Sequence, residues 1–128
     1  MFFSFVIIIV IFHYLGDWVY QTRYMADNKS KNWRALTAHI SVYSLFLFYG
    51  AITWAALAEL PVREYFWIIV LWVIVNSVLH GITDNITSRI TSHFYQKQNF
   101  KRFFDTIGFD GMIHYLTLWI SAKLILGL

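Results

Sequence analysis

Residues 65–90 read YFWIIVLWVIVNSVLHGITDNITSRI, and this stretch decides the fold. Its first part, Tyr65 to Val75, is an unbroken apolar run whose β-branched content suggests a strand in water. In lipid a spanning segment must satisfy its own backbone hydrogen bonds, so the stretch is expected to be a helix, continuing through Asn76, His80 and Asp84 to Ile90. Outward from it, Phe2 to Gln21 forms an earlier apolar stretch. No basic residue precedes this stretch and no small-residue cleavage site follows, so a retained span is expected rather than a removable signal peptide. Ala35 to Leu57 and Thr106 to Leu128 complete the set. At about 1.5 Å per residue each is long enough to cross a hydrocarbon core of roughly 30 Å. Glu59, Pro61, Arg63 and Glu64 mark a tight connection between the second and third. The expected fold is therefore all-α: one domain over residues 1–128, built as a four-transmembrane-helix bundle with spans at 2–21, 35–57, 65–90 and 106–128.

Composition points the same way. The 128 residues are 59% hydrophobic and 13% charged, too little charge to cover the surface of a water-soluble domain of this size. The absence of cysteine excludes disulfides, thiolate nucleophiles, Cys-ligated zinc and iron–sulfur clusters, so any metal must be held by His, Asp or Glu. The basic residues concentrate in two connections. Arg23, Lys29, Lys31 and Arg34 follow the first helix; Arg89, Lys97, Lys101 and Arg102 follow the third. In a four-span chain these share a side, and the positive-inside bias makes that side cytoplasmic, with both termini outside. Basic loops here reflect topology and not nucleic-acid binding. They also attract anionic headgroups at roughly 1 kcal/mol per basic residue near the surface. Trp18, Trp33, Trp54, Trp67 and Trp119 fall near predicted span ends, where interfacial tryptophans anchor helices.

Against this background the polar residues inside the spans need a reason, because an ionisable group costs at least ~2.5–3.5 kcal/mol at the membrane centre unless paired, ligated or hydrated. They recur at i, i+4: His13 with Asp17, His80 with Asp84 and, reversed, Asp110 with His114. That spacing puts both groups on one helical face, about 6 Å apart along the axis. The reversal is informative. The first and third helices run toward the cytoplasm and the fourth leaves it, so all three place His deeper and Asp shallower. A tier of His13, His80 and His114 is expected above a tier of Asp17, Asp84 and Asp110 at the cytoplasmic end of the bundle, with His39 contributed by the second helix.

One face per helix converging on one level is how bundle cores hold metals. Imidazole and carboxylate suit Zn²⁺ best here, with Mn²⁺ or Fe²⁺ as alternatives. His13, Asp17, His39, His80, Asp84, Asp110 and His114 are the candidate ligands. They exceed what one zinc needs, so either two metals bind or some of these groups orient the others. Weaker signals are Gln21 on the Asp17 face, Asn76 as an interhelical hydrogen-bonding group, Arg89 as a substrate contact, and Gly16, Gly81 and Gly111 as points of close helix approach.

The segments His13-Tyr-Leu-Gly-Asp17-Trp-Val-Tyr-Gln21, Met25 to Lys29, His39, His80-Gly-Ile-Thr-Asp84 and Asp110-Gly-Met-Ile-His114 together resemble the bacterial and phage integral-membrane family named domain of unknown function 3307 (DUF3307). The resemblance covers nearly the whole chain and implies a shared membrane fold and a shared polar core, but no activity. From the residues, the first functional expectation is a membrane-embedded metal-dependent hydrolase. Its substrate would be an amphiphile, an anionic lipid or lipid-linked phosphate, met at the cytoplasmic interface. Asp17 would serve as ligand or general base and His39 as ligand or proton donor. Two other classes stay open: a divalent-metal or proton-coupled transporter, which four short helices would form only as a homo-oligomer, and a non-catalytic membrane protein that binds a partner.

Overall fold

In the computed structural model, which describes residues 2–128, the chain is helical throughout, with no strand among the described residues. Helix α1 spans Phe2–Tyr14 and runs directly into a π-helical turn, Leu15–Val19. A short helix α2, Arg23–Asn28, follows. Then come α3, Trp33–Leu57, α4, Val62–Gln96, and α5, Phe100–Ser121, which ends in a second π-helical turn, Ala122–Leu126. Three stretches, Phe2–Val19, Trp33–Leu57 and Val62–Gln96, are long and apolar enough to cross a membrane. Their outward faces carry exposed Ile7, Ile11, Leu45, Leu71, Ile74, Val78 and Ile82, an apolar surface suited to lipid and far larger than a soluble monomer displays. The expected fourth span is helical, as α5, but it is not among the stretches long and apolar enough to cross a membrane.

Local chemistry explains the boundaries. Asn32 accepts from the Arg34 amide at 2.9 Å to start α3, and Asn99 caps α5 through the Arg102 amide at 3.2 Å. Both tight connections close with a non-glycine residue in the left-handed region, Glu59 after α3 and Gln98 after α4. The following amides then reach back to the Ala55 and Phe94 carbonyls at 3.0 Å. Helix α4 runs further at both ends than the expected span of 65–90, so the anticipated basic loop from Arg89 to Asp105 is mostly helix around a short turn. In this extension Thr91 bonds to the Thr87 carbonyl a turn back, Ser92 donates to the Ser30 hydroxyl at 3.2 Å, and Tyr95 packs against Phe103 with ring centroids 5.5 Å apart.

The core divides along the bundle axis. In its far half, Phe5 meets Trp54 edge-on at 5.0 Å and Trp72 at 5.6 Å, with Ile9, Leu47, Ile69 and Leu118 buried around them. Trp54 is thus a core residue and not an interfacial anchor. Trp18, Trp33 and Trp67 remain exposed as belt residues do. Between this apolar plug and the polar half lies a small knot: Asn76 donates to Ser121 Oγ at 2.8 Å, Trp72 Nε1 donates to the same oxygen at 2.9 Å, and Ser121 donates to Asn76 Oδ1 at 3.1 Å. One hydroxyl therefore serves an indole and an amide. Ser121→Ala is expected to orphan the indole N–H and Asn76 Oδ1, while the Asn76 amide keeps its 2.8 Å bond to the Trp72 carbonyl, and to destabilise the α4/α5 pair by about 1–2 kcal/mol, read as a lower melting temperature in detergent. An unchanged melting temperature would show the knot to be energetically idle.

Candidate metal centre

The elements bring the expected polar residues together at the α2 end of the bundle. The π-helical turn does this for Asp17. The wider turn, closed by the Tyr20 amide on the Leu15 carbonyl at 2.9 Å, places Asp17 Oδ1 3.1 Å from His39 Nε2 on α3, while Asp17 Oδ2 lies 3.7 Å from His13. Close helix approach makes room for it. A Cβ on Gly16 would lie 2.9 Å from Phe46 Cβ, and one on Gly81 would lie 2.6 Å from Ile40 Cδ1, whereas Gly111 has open space around it.

His39 is the pivot. Its Nε2 lies 3.1 Å from Asp17 Oδ1, 3.1 Å from Asp84 Oδ2 and 3.1 Å from His80 Nε2. His80 Nε2 in turn lies 3.5 Å from Asp17 Oδ1 and 3.7 Å from Asp84 Oδ2. One imidazole N–H can donate along only one direction, so hydrogen bonding alone does not account for four heteroatoms facing a common point. A cluster of this kind could hold a tetrahedral metal ion. With metal–ligand bonds of about 2.0–2.1 Å, the edges of the tetrahedron are about 3.3 Å. Asp17, His39, His80 and Asp84 are all buried, and one ligand atom from each lies within 4.8 Å of the others.

The histidine rings are held mainly by packing. His80 stacks on Tyr43, with centroids 3.8 Å apart and planes 8° from parallel, and on His114 at 4.1 Å. The Nδ1 atoms of His13, His39 and His80 have no hydrogen-bond partner. His13 lies 6.3 Å from His80 and 5.9 Å from His114, ring to ring, so the three deeper histidines do share a level. His13 joins neither group of converging ligand atoms and acts on Asp17 from behind.

A second group shares Asp84. His114 Nε2 lies 3.1 Å from Asp84 Oδ1 and 3.3 Å from Asp110 Oδ2, while Thr87 donates to Asp110 Oδ1 at 2.6 Å. Lys29, at the end of α2, donates to Asp84 Oδ2 at 2.7 Å. Sequence reasoning treated it as a topology-setting loop residue. Its arrival beside Asp84 depends on α2, whose Thr22 N-cap was the one local sign of a helix there.

A cavity of about 530 Å³ opens over these carboxylates. Asp17, Asp27, Asp84 and Asp110 line it together with Lys29, Lys31 and Ser88. Gln21 and Ser88 each present a buried side-chain oxygen without a hydrogen-bond partner. Arg89, by contrast, is exposed and outside the lining.

Residues 5–127 match the family described as protein of unknown function DUF3307. The chain belongs to this family. Neither a curated protein nor a solved structure matches it. In this DUF3307 protein, every segment that carried the resemblance contributes to the buried cluster, including Lys29 from the segment after Met25.

Proposed function

We propose that the chain is a four-span inner-membrane protein, both termini outside, that acts as a metal-dependent hydrolase on an anionic amphiphile at the cytoplasmic interface. The observation that carries this reading is that buried His39, His80, Asp17 and Asp84 each bring one ligand atom within 4.8 Å of the others, beside a cavity lined by Lys29 and Lys31 as well as by aspartates. His39, His80 and Asp84 would hold the metal, zinc by donor type. Asp17, which also reaches the cavity, would complete the coordination or take a proton from water. With a phosphate ester, water oxygen bonds to phosphorus and one water proton passes to Asp17. The ester bond breaks, and the proton ends on the departing alkoxide. Lys29 and Lys31 would meet the negative headgroup while its tails stay in lipid.

Transport is the weaker reading. The far half of the bundle is filled by Phe5, Trp54, Trp72 and Leu118, and among the described residues no buried charged group continues a path there. The test uses untagged protein purified in detergent: metal content by mass spectrometry, then hydrolysis of phosphate-ester and acyl-ester lipids. Stoichiometric metal with turnover that falls at least about 100-fold in His80→Ala is expected. Metal-replete, folded protein that turns over none of these lipids but carries metal flux in proteoliposomes would overturn the hydrolase in favour of transport.

A further inference from the structure

We infer that the centre is binuclear, with Asp84 bridging two metals through its two carboxylate oxygens; this rests on the metal reading above but not on hydrolysis. Asp84 Oδ2 faces His39 and His80, while Asp84 Oδ1 faces His114 at 3.1 Å. The two sides of one carboxylate thus belong to two separate sets of ligand atoms, and each set is compact enough for one ion. Bridging of this kind spans the roughly 3.5–4 Å found between paired metals.

The second set is built as a ligand set and not as an ion pair alone. Asp110 spends Oδ1 on the Thr87 hydroxyl at 2.6 Å, which fixes the carboxylate and leaves Oδ2 beside His114 at 3.3 Å. Such outer hydrogen bonds orient metal-ligating carboxylates. The two sets also differ in ligand number: the first has four protein groups and the second three, Asp84, Asp110 and His114. Both present two carboxylates to the cavity, and none of the three histidines lines it. With Asp17 counted as a ligand the first set fills a tetrahedral site, whereas three ligands leave a position free. The metal on Asp110 and His114 is therefore the one with room for an external molecule entering from the cavity.

Lys29 is compatible with this arrangement, since a carboxylate oxygen has two lone-pair directions and Asp84 Oδ2 can accept from Nζ while ligating.

The experiment is equilibrium loading of metal-depleted full-length protein with Zn²⁺, followed by metal content per chain, on wild type, Asp110→Asn and His114→Gln. Two equivalents in wild type and one in either variant is expected. In parallel, wild type loaded with Mn²⁺ is examined by electron paramagnetic resonance, where an exchange-coupled pair is expected; this needs no variant to fold. Saturation at one equivalent with an isolated-ion spectrum overturns the binuclear site and leaves the single-metal centre standing. No binding at all overturns both.

Discussion

Asp84→Asn is expected to empty the centre, lowering metal affinity by more than the roughly 10–100-fold that follows loss of an outer-shell partner. Asp84 has four close polar neighbours. Lys29 lies at 2.7 Å, His39 at 3.1 Å and His80 at 3.7 Å from one oxygen, and His114 at 3.1 Å from the other. Asparagine keeps the shape but replaces one acceptor with a donor, which would face either the Lys29 ammonium or an imidazole. It also removes the negative charge that compensates Lys29 in a buried setting, a change that costs about 3–5 kcal/mol when one partner of a buried pair is lost. The measurement is metal content and melting temperature together, with and without added Zn²⁺. Zinc should raise the wild-type melting temperature and leave that of the variant unmoved, because a ligand that binds only the folded state stabilises it by mass action. Asp105→Asn, on an exposed carboxylate paired with Lys101 at 2.9 Å, should behave as wild type in both respects. Full zinc stabilisation in Asp84→Asn would remove Asp84 from the ligand set.

How much of this was legible beforehand depends on the range of the interaction. The i, i+4 pairs and the reversed order on α5 follow from helix geometry and chain direction, so the meeting of His13, His80 and His114 could be read from spacing. His39 could be assigned only to the right end of its helix. Its position between Asp17 and Asp84 is set by the facing of α3 against its neighbours, which no single helix encodes. Asp17 was expected to share a regular face with His13, but the π-helical turn re-aims one of its oxygens toward His39. Trp54 looks interfacial from its place in the chain. It is buried because Phe5 from α1 packs against it, a contact between positions far apart in sequence. The end of α4 was misjudged for a related reason: a run of Ser, Thr and Arg reads as loop when lipid is assumed on every side, yet its Thr87 and Thr91 hydroxyls bond back along the helix and Tyr95 packs on Phe103 of α5.

Gly16→Val should cost stability at the upper end of the about 1–3 kcal/mol typical of overpacking, and unlike the equally tight Gly50, which faces Phe12 Cβ at 2.8 Å, Gly16 adjoins a residue of the centre. The reason lies in what surrounds the missing side chain. A Cβ at Gly16 would lie 2.9 Å from Phe46 Cβ and 3.2 Å from the Tyr43 Cα, atoms fixed to the α3 backbone that cannot swing aside. The π-helical turn would have to move away from α3, carrying Asp17 from His39, and Tyr43 is also the ring on which His80 stacks at 3.8 Å. Stability and metal affinity should therefore fall together. Gly81 is a milder case, since its contact is the Cδ1 end of Ile40, which can change rotamer. Gly111 supplies the control. It adjoins Asp110 just as Gly16 adjoins Asp17, yet nothing lies within 4 Å of its would-be Cβ, so Gly111→Ala should leave melting temperature and zinc loading unchanged. If Gly16→Val kept wild-type zinc affinity while Gly111→Ala lost it, the close contact of α1 with α3 would not be what positions Asp17, and the role of the π-helical turn in assembling the centre would have to be abandoned.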